Sequence, residues 1–267
     1  MKSFFKNALF LALRPLAQPL AGRASILMYH SVSNPRHYFW AVSPEHFHEH
    51  MRYLMRGGFH VVPLAELASH IASGTPLPHK AVSLTFDDGY RDNLTKVLPA
   101  LVKYGFPATI FVTTGMIGKT DTRGLKRLSE KDLRQLHATG LIDIEPHTVT
   151  HPQLSRCASD IIEREIVDSK RMLEGLLGKS CTLFAYPYGD YNDAVHRAVV
   201  QAGFSAAVTV RAGTAGYGDD VFLLRRNAVD SETTMIQFSG KLSRATDVYE
   251  HIRTYARTLL RDGSLSC

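Results

Sequence analysis

A chain of 267 residues with 45% hydrophobic and 21% charged side chains can bury a sizeable core, which excludes an intrinsically disordered protein. Its formal charge of +6 is dispersed, with no Lys/Arg run interleaved with aromatics, so a dedicated nucleic-acid binder is not expected. The three cysteines, Cys157, Cys181 and Cys267, are odd in number and lack metal-type spacing, which argues against a disulfide framework or a zinc knuckle.

In chain order, residues 3–20 set Phe4, Phe5, Leu9, Leu13, Leu16 and Leu20 among Lys and Arg, the pattern of an amphipathic helix that lies on a membrane surface or packs on its own domain. Its apolar run stops at Arg14-Pro15, too early to span a bilayer or to make a good secretory signal. A cytoplasmic, membrane-associated protein is the expectation, and export to the periplasm or cell surface is the alternative. Residues 25–32 then read as a strand, and Ser43-Pro44 as an N-cap and first helical position, with Gly57-Gly58 ending that helix. The alternation continues with strand 59–62 and helix 64–73, strand 81–87 and helix 92–104, and strand 108–113 and helix 129–139. Next come strand 141–146, helix 158–177, strand 182–186, helix 192–202, strand 205–210 and a strand near 222–229. Strands 81–87 and 108–113 are almost continuously apolar, as parallel strands covered by helices or closed into a barrel must be. The expected organisation is an amino-terminal segment over 1–24, one α/β domain of barrel type over 25–245, and a helix or tail over 246–267.

Polar, chemically capable residues fall where these strands end: His30, Asp87-Asp88, His147 and Tyr188. In a parallel α/β barrel the carboxyl ends of the strands form one rim, where active sites are built. Thr85-Phe86-Asp87-Asp88-Gly89-Tyr90 sets two carboxylates at a strand end before a glycine that permits a sharp turn; taken alone, such a pair also serves as a helix cap. His147-Thr148-Val149-Thr150-His151-Pro152 sets two imidazoles four residues apart, so a single turn of helix or a tight loop brings both to one face, where one metal ion can bind both; taken alone, such a pair on a surface also arises by chance.

These two motifs in this order, with Tyr186-Pro187-Tyr188-Gly189 and the Pro107–Val112 segment, resemble the polysaccharide deacetylase family, also called the NodB homology family or carbohydrate esterase family four. The resemblance spans about residues 25–230 and implies a single-domain distorted (β/α) barrel. It also implies a metal triad of Asp88, His147 and His151 and a general base at Asp87. A carboxylate bound to metal is a poor base, whereas its unbound neighbour can take a proton from the attacking water. One divalent metal ion is implied, zinc first, with cobalt, nickel, manganese or iron as alternatives. The resemblance assigns a backbone N–H donor for the oxyanion to Tyr188.

The family's late Leu-x-His acid motif has no counterpart after residue 230, and Met28-Tyr29-His30 instead resembles the first strand of circularly permuted poly-N-acetylglucosamine deacetylases, which implies His30 as the acid. Many family members carry an arginine where this chain has Tyr186. Arg225 or Arg226 is therefore the candidate to orient Asp87, and a surface pair or salt bridge is the equal alternative. Trp40, Tyr186, Pro187 and Tyr188 are the candidate substrate-binding residues, Phe39-Trp40 on a polar loop being placed to stack on sugar faces. The implied reaction removes N-acetyl groups from N-acetylglucosamine-type sugars in a polysaccharide, oligosaccharide or lipid-linked glycan. A catalytically silent glycan-binding module and a metal-dependent amidohydrolase or esterase on a non-sugar substrate are the competing readings.

Overall fold

The computed structural model describes residues 7, 10, 22–34 and 38–262, without the side chains of 256–262. Five parallel strands lie side by side. β1 (Arg23–Tyr29) pairs with β5 (Ala81–Phe86), β5 with β6 (Ala108–Val112), and β6 with β7 (Ile142–Pro146); on its other side β1 pairs with β11 (Asn227–Ala228). A separate parallel pair, β8 (Leu183–Ala185) and β9 (Ala206–Val208), continues the circle. β9 reaches β11 through Leu224, which bridges Val208, accepts from Thr209 N and donates to Ala207 O. The ring is a distorted (β/α) barrel. Between β7 and β8 no backbone ladder forms among the described residues.

Helices cover the outside because their apolar faces match it. Helix α1 (Pro44–Arg56) starts at Ser43, whose side chain accepts from His46 N, and buries Phe47, His50, Met51 and Leu54, one stripe at helical spacing. Each of its fully buried apolar side chains contributes about 1.5–3 kcal/mol relative to exposure. Helices α2 (Leu64–Ser73), α3 (Leu98–Tyr104), α4 (Glu130–His137), α5 (Ser159–Leu177) and α6 (Asp193–Gln201) follow, and α4 opens with a capping box between Ser129 and Asp132. Two more, α7 (Met235–Lys241) and α8 (Ala245–Asp262), close the chain. No described helix is long and apolar enough to cross a membrane.

Strand alternation sorts the residues into two cores. Leu27, Tyr29, Leu84, Phe86, Ile110, Val112, Ile142, Ile144 and Phe184 face the helices. Their neighbours Ala24, Ile26, Phe111, Leu183, Ala185, Ala206, Val208 and Leu224 fill the barrel, plugged at its amino end by Leu64, Leu67, Ala68 and Ile71 of α2. Following the same parity upward, His30, Asp87, His147 and Arg226 project inward at or near the carboxyl end.

Three expectations need correction, and one strand was not expected. Strand 25–32 breaks at His30: Asn93 Nδ2 donates to His30 O (3.0 Å), and the Asp92 carboxylate takes Ser31 Oγ (2.5 Å) and Val32 N (3.0 Å). β2 (Ser31–Val32) therefore leaves the barrel and pairs with β3 (Ala41–Val42). Helix 92–104 begins as a wide π turn over Asn93–Val97, because Pro99 lacks the N–H that a continuous α-helix would use. The strand near 222–229 is a 3₁₀ turn at Val221–Leu223 followed by the two-residue β11. Finally, β10 (Ala215–Gly216), antiparallel to the start of β1, carries no apolar signature that would have announced it. The amphipathic helix expected over 3–20 lies outside the described residues except at Asn7 and Phe10. There Asn7 accepts from Thr234 and Gln237, and Phe10 is buried against Ala245 with its ring stacked on Tyr249 at 5.4 Å.

Candidate active site

Asp87 follows β5 directly, its N–H donating to Tyr29 O at 2.9 Å. Its carboxylate is buried and held by Arg226 in a two-pronged pair, Nη1 to Oδ1 and Nη2 to Oδ2, both 2.7 Å. Arg226 is itself fully buried and fixed by Thr209 O (2.9 Å) and Thr85 Oγ1 (3.1 Å). Burial opposes ionisation of Asp87, yet Arg226, with His147 behind it, holds the carboxyl below its ordinary value. Arg225, the other candidate, is exposed and lines an outer groove with Arg211, Asp247 and Arg253. Strand parity separates the two arginines: consecutive residues point to opposite sides of the barrel wall.

Asp88 turns away from its neighbour. Its φ of 72° is left-handed, an uncommon conformation for a non-glycine residue, and Gly89 follows at φ 64°. The turn aims Asp88 Oδ1 at His151 Nε2 (3.5 Å) and His147 Nε2 (3.8 Å), while Arg127 Nη1 donates to Asp88 O at 2.9 Å. Burial would raise the Asp88 carboxyl, but His30, His147, His151 and Arg127 together bring it down to about 2. The two adjacent acids thus have separate partners, Arg226 for Asp87 and, for Asp88, the histidine pair with Arg127 at 3.5 Å from its other oxygen.

His147 stands just past β7, where its N–H donates to Val112 O at 2.9 Å. Its ring Nδ1 lies 2.7 Å from Ala185 O; a carbonyl can only accept, so Nδ1 carries the proton and Nε2 keeps its lone pair toward Asp88. His151 reaches the same place because the loop coils tightly, with Thr148 at φ 64° and His151 at φ 62°. Glu165 of α5 pins that loop, accepting from Val149 N (2.8 Å), Thr150 N (2.8 Å) and Thr150 Oγ1 (2.6 Å). Burial lowers both imidazoles, His151 to about 4 with help from neighbouring His147, so both are neutral and able to act as ligands at pH 7. Of five described non-glycine residues with left-handed φ, four (Asp88, Thr148, His151, Tyr188) border this site, the usual location of stored backbone strain.

The donor atoms of Asp88, His147 and His151 lie within 4.8 Å of one another. Two donors sharing an ion at about 2.1 Å each can be no more than roughly 4.2 Å apart, so the carboxylate–imidazole separations of 3.5 and 3.8 Å fit a single cation. His30 faces the pair from the end of β1, near enough for both carboxylates to favour its charged form, although burial, the larger effect, lowers its pKa overall. Its ring stacks on the half-buried Trp40 (5.1 Å between centroids), and its Nδ1 has no hydrogen-bond partner among the described residues. Across the mouth, Tyr188 is 59% exposed and sets its ring edge-on to His151 at 4.5 Å. Tyr186 and Pro187, candidate substrate-binding residues, are buried, and they shape the turn that presents Tyr188.

Sequence reasoning missed Arg127 and Glu165. Arg127 sits over the Tyr90 ring (3.7 Å) on a loop with no recognisable motif, and Glu165 is one of several acids in an ordinary amphipathic helix.

The family model for polysaccharide deacetylases matches residues 74–207, half of the chain. YxkH of Bacillus subtilis is 33% identical over 202 residues, 75% of this chain and 69% of its own. The chain belongs to the polysaccharide deacetylase family. A poly-β-1,6-N-acetyl-D-glucosamine N-deacetylase of Staphylococcus aureus is 29% identical over 62% of this chain, which spans 61% of that enzyme's length. Among solved structures, the Streptococcus pyogenes deacetylase PplD in complex with acetate superimposes with a TM-score of 0.75 at 25% identity, over 84% of this chain and 99% of that one. IcaB from Ammonifex degensii gives 0.75 and 25%, over 84% and 97%. His30 and Arg226 lie outside the segment that the family model matches.

Proposed function

We propose that this polysaccharide deacetylase family member hydrolyses the N-acetyl group of N-acetylglucosamine-type sugars in a polymeric or lipid-linked glycan, with zinc as its metal. The observation that carries the reading is the division of labour between adjacent acids: Asp88 Oδ1 stands 3.8 and 3.5 Å from two ligand-ready imidazole nitrogens, while both oxygens of Asp87 are taken up by Arg226. Two imidazoles and one carboxylate with open positions suit catalytic zinc, which when bound polarises a carbonyl and makes water more acidic.

The chain's own groups account for the proton movements. Asp87 takes a proton from the attacking water, and its carboxylate is kept ionised and aimed by Arg226. The backbone N–H of Tyr188, turned by its left-handed φ of 59°, is the donor for the oxyanion. In its protonated form, which both carboxylates favour, His30 supplies a proton to the departing amine; burial makes that imidazolium a stronger acid than a free one. Trp40, Phe39 and Tyr188 offer aromatic faces to sugar rings on either side of the mouth. The net charge of +6 and the basic amino-terminal segment support work beside an anionic membrane surface on the cytoplasmic side, where nascent glycan would be met.

Acetate release tests the reading. Zinc-loaded protein should liberate acetate from β-1,6-linked N-acetylglucosamine oligomers, the substrate class in the staphylococcal relative's name, and a chelator should stop it. Oligomers that bind without any metal-dependent acetate release would mark a glycan-binding module. Faster turnover of simple acetate esters than of every amino-sugar acetamide would mark a different hydrolase.

A further inference from the structure

Among the described residues no backbone bond crosses the seam between β7 and β8; side chains close it, and the metal ligand His147 is one of them. Asp143, Glu145 and His147 alternate along β7 and its end, so all three project into the barrel, stacked from bottom to top. Opposite them, Leu183 and Ala185 alternate along β8. Two bonds cross the gap in step: Leu183 N donates to Glu145 Oε2 at 3.0 Å, and His147 Nδ1 donates to Ala185 O at 2.7 Å. They take the place of the backbone ladder found at the other parallel strand pairs. Glu145 is completely buried, and its second oxygen accepts from Lys179 Nζ at 2.8 Å, which also reaches Asp143 at 2.5 Å. Lys179 lies in the connection from α5 to β8, so the same carboxylate ties both the strand and its approach.

We propose that Glu145 is a positioning residue for the metal site: by fixing β8 against β7 it sets where the Ala185 carbonyl stands, and so fixes the His147 tautomer and the direction of Nε2. The inference rests on the metal-site reading above. A barrel interior could close this seam with apolar side chains, as it does elsewhere, and a buried carboxyl group needing two partners is a costly filler. What the carboxylate adds is a directed bond to one amide, two residues from the carbonyl that the ligand uses. Partners behind a ligating histidine govern affinity: changing them typically costs 10–100-fold in metal binding.

The test uses the full chain stripped of metal and titrated with Zn²⁺ alone, for wild type, Glu145→Gln, Glu145→Asp and Glu145→Ala. Glutamine keeps the acceptor for Leu183 N and should bind zinc within about threefold of wild type. Aspartate keeps a carboxyl acceptor for Lys179 but is a methylene too short for the amide; it and alanine should bind roughly 10–100-fold more weakly. Long-range ¹⁵N–¹H spectra of the metal-free chain, labelled at histidine, give a readout that mere loss of stability would not move. Wild type and Glu145→Gln should hold His147 as the Nδ1–H tautomer, and Glu145→Asp should show a mixture. Unchanged zinc affinity and an unchanged tautomer in folded Glu145→Asp would overturn the proposal while leaving the metal site standing. A wild-type chain that takes up no zinc would overturn the metal-site reading and this inference with it. Should alanine prevent folding, the aspartate and glutamine variants still decide the matter.

Discussion

The cation-facing side of the site and its proton-handling side draw on the chain differently. Asp88, His147 and His151 sit on two loops inside the 74–207 segment, and what sets their directions also lies inside it: left-handed residues, Glu165 and the Ala185 carbonyl. Asp87 shares one of those loops, but its carboxylate is held by Arg226, 139 residues further on, and His30 comes from the first strand. Short motifs are therefore enough to specify the donor set, whereas the acid and the group that steers the base arrive only when β1 and β11 close the barrel. A change on one side should leave the other side's signature intact.

The largest expected effect tests that separation directly. His151→Ala removes one of three donors and should take bound zinc from about one per chain to a small fraction of that, with acetate release falling by roughly 10³-fold or more. Asp87→Asn should lose about 10²–10⁴-fold in kcat, the usual worth of a general base, while zinc content stays at the wild-type level. Elemental analysis beside an acetate assay reads both numbers. Loss of zinc in Asp87→Asn would make that residue a ligand and dissolve the contrast.

Arg226→Met sharpens the comparison from the far side. It strands Asp87 as an unpaired buried carboxylate, a change that costs about 3–5 kcal/mol and, in a domain of this size, lowers Tm by roughly 10 °C. Its sign in pH follows from the cause of the shift: Arg226 holds the Asp87 carboxyl below its ordinary value, so without it the acid limb of kcat/KM should move to higher pH. Zinc content should not change. Calorimetry on the double variant Asp87→Asn, Arg226→Met should recover much of the lost stability with none of the activity, because the uncompensated charge is gone; a double variant as unstable as Arg226→Met would deny the coupling.

How far the sequence revealed this arrangement depends on the distance over which each feature is encoded. The alternation of strands and helices, the N-cap at Ser43 and the strand-end placement of Asp87, Asp88, His147 and His30 are local patterns, and they were legible. The choice of Arg226 over Arg225 was not, because parity can be counted only once the strand is known, and the expected strand near 222–229 is mostly turn. The burial of Tyr186 is hidden for a related reason: a polar tip does not reveal that the ring faces the helix layer, where it is fully buried. Glu165 and Arg127 act on backbone atoms of loops remote in sequence, and no spacing rule identifies the carboxylate or guanidinium that a folded loop will meet.

His30 gives the finest test, since it belongs to the proton-handling side and yet is close enough to Asp88 to feel its charge. Were it a further cation ligand, His30→Ala would slow every substrate alike and loosen the metal. As the acid for the departing amine it should matter only when the leaving group needs a proton. His30→Ala should therefore slow acetamide cleavage by about 10²-fold, the low end for general acid catalysis, and leave an activated aryl acetate within about threefold of wild type. Trp40, stacked on the imidazole, offers the matching control. Trp40→Ala frees the ring without removing it, so its loss should fall between wild type and His30→Ala on the acetamide and vanish on the ester. Equal losses on both substrates in His30→Ala would move this histidine to the cation-facing side and leave the amine's proton donor to be found elsewhere on the rim.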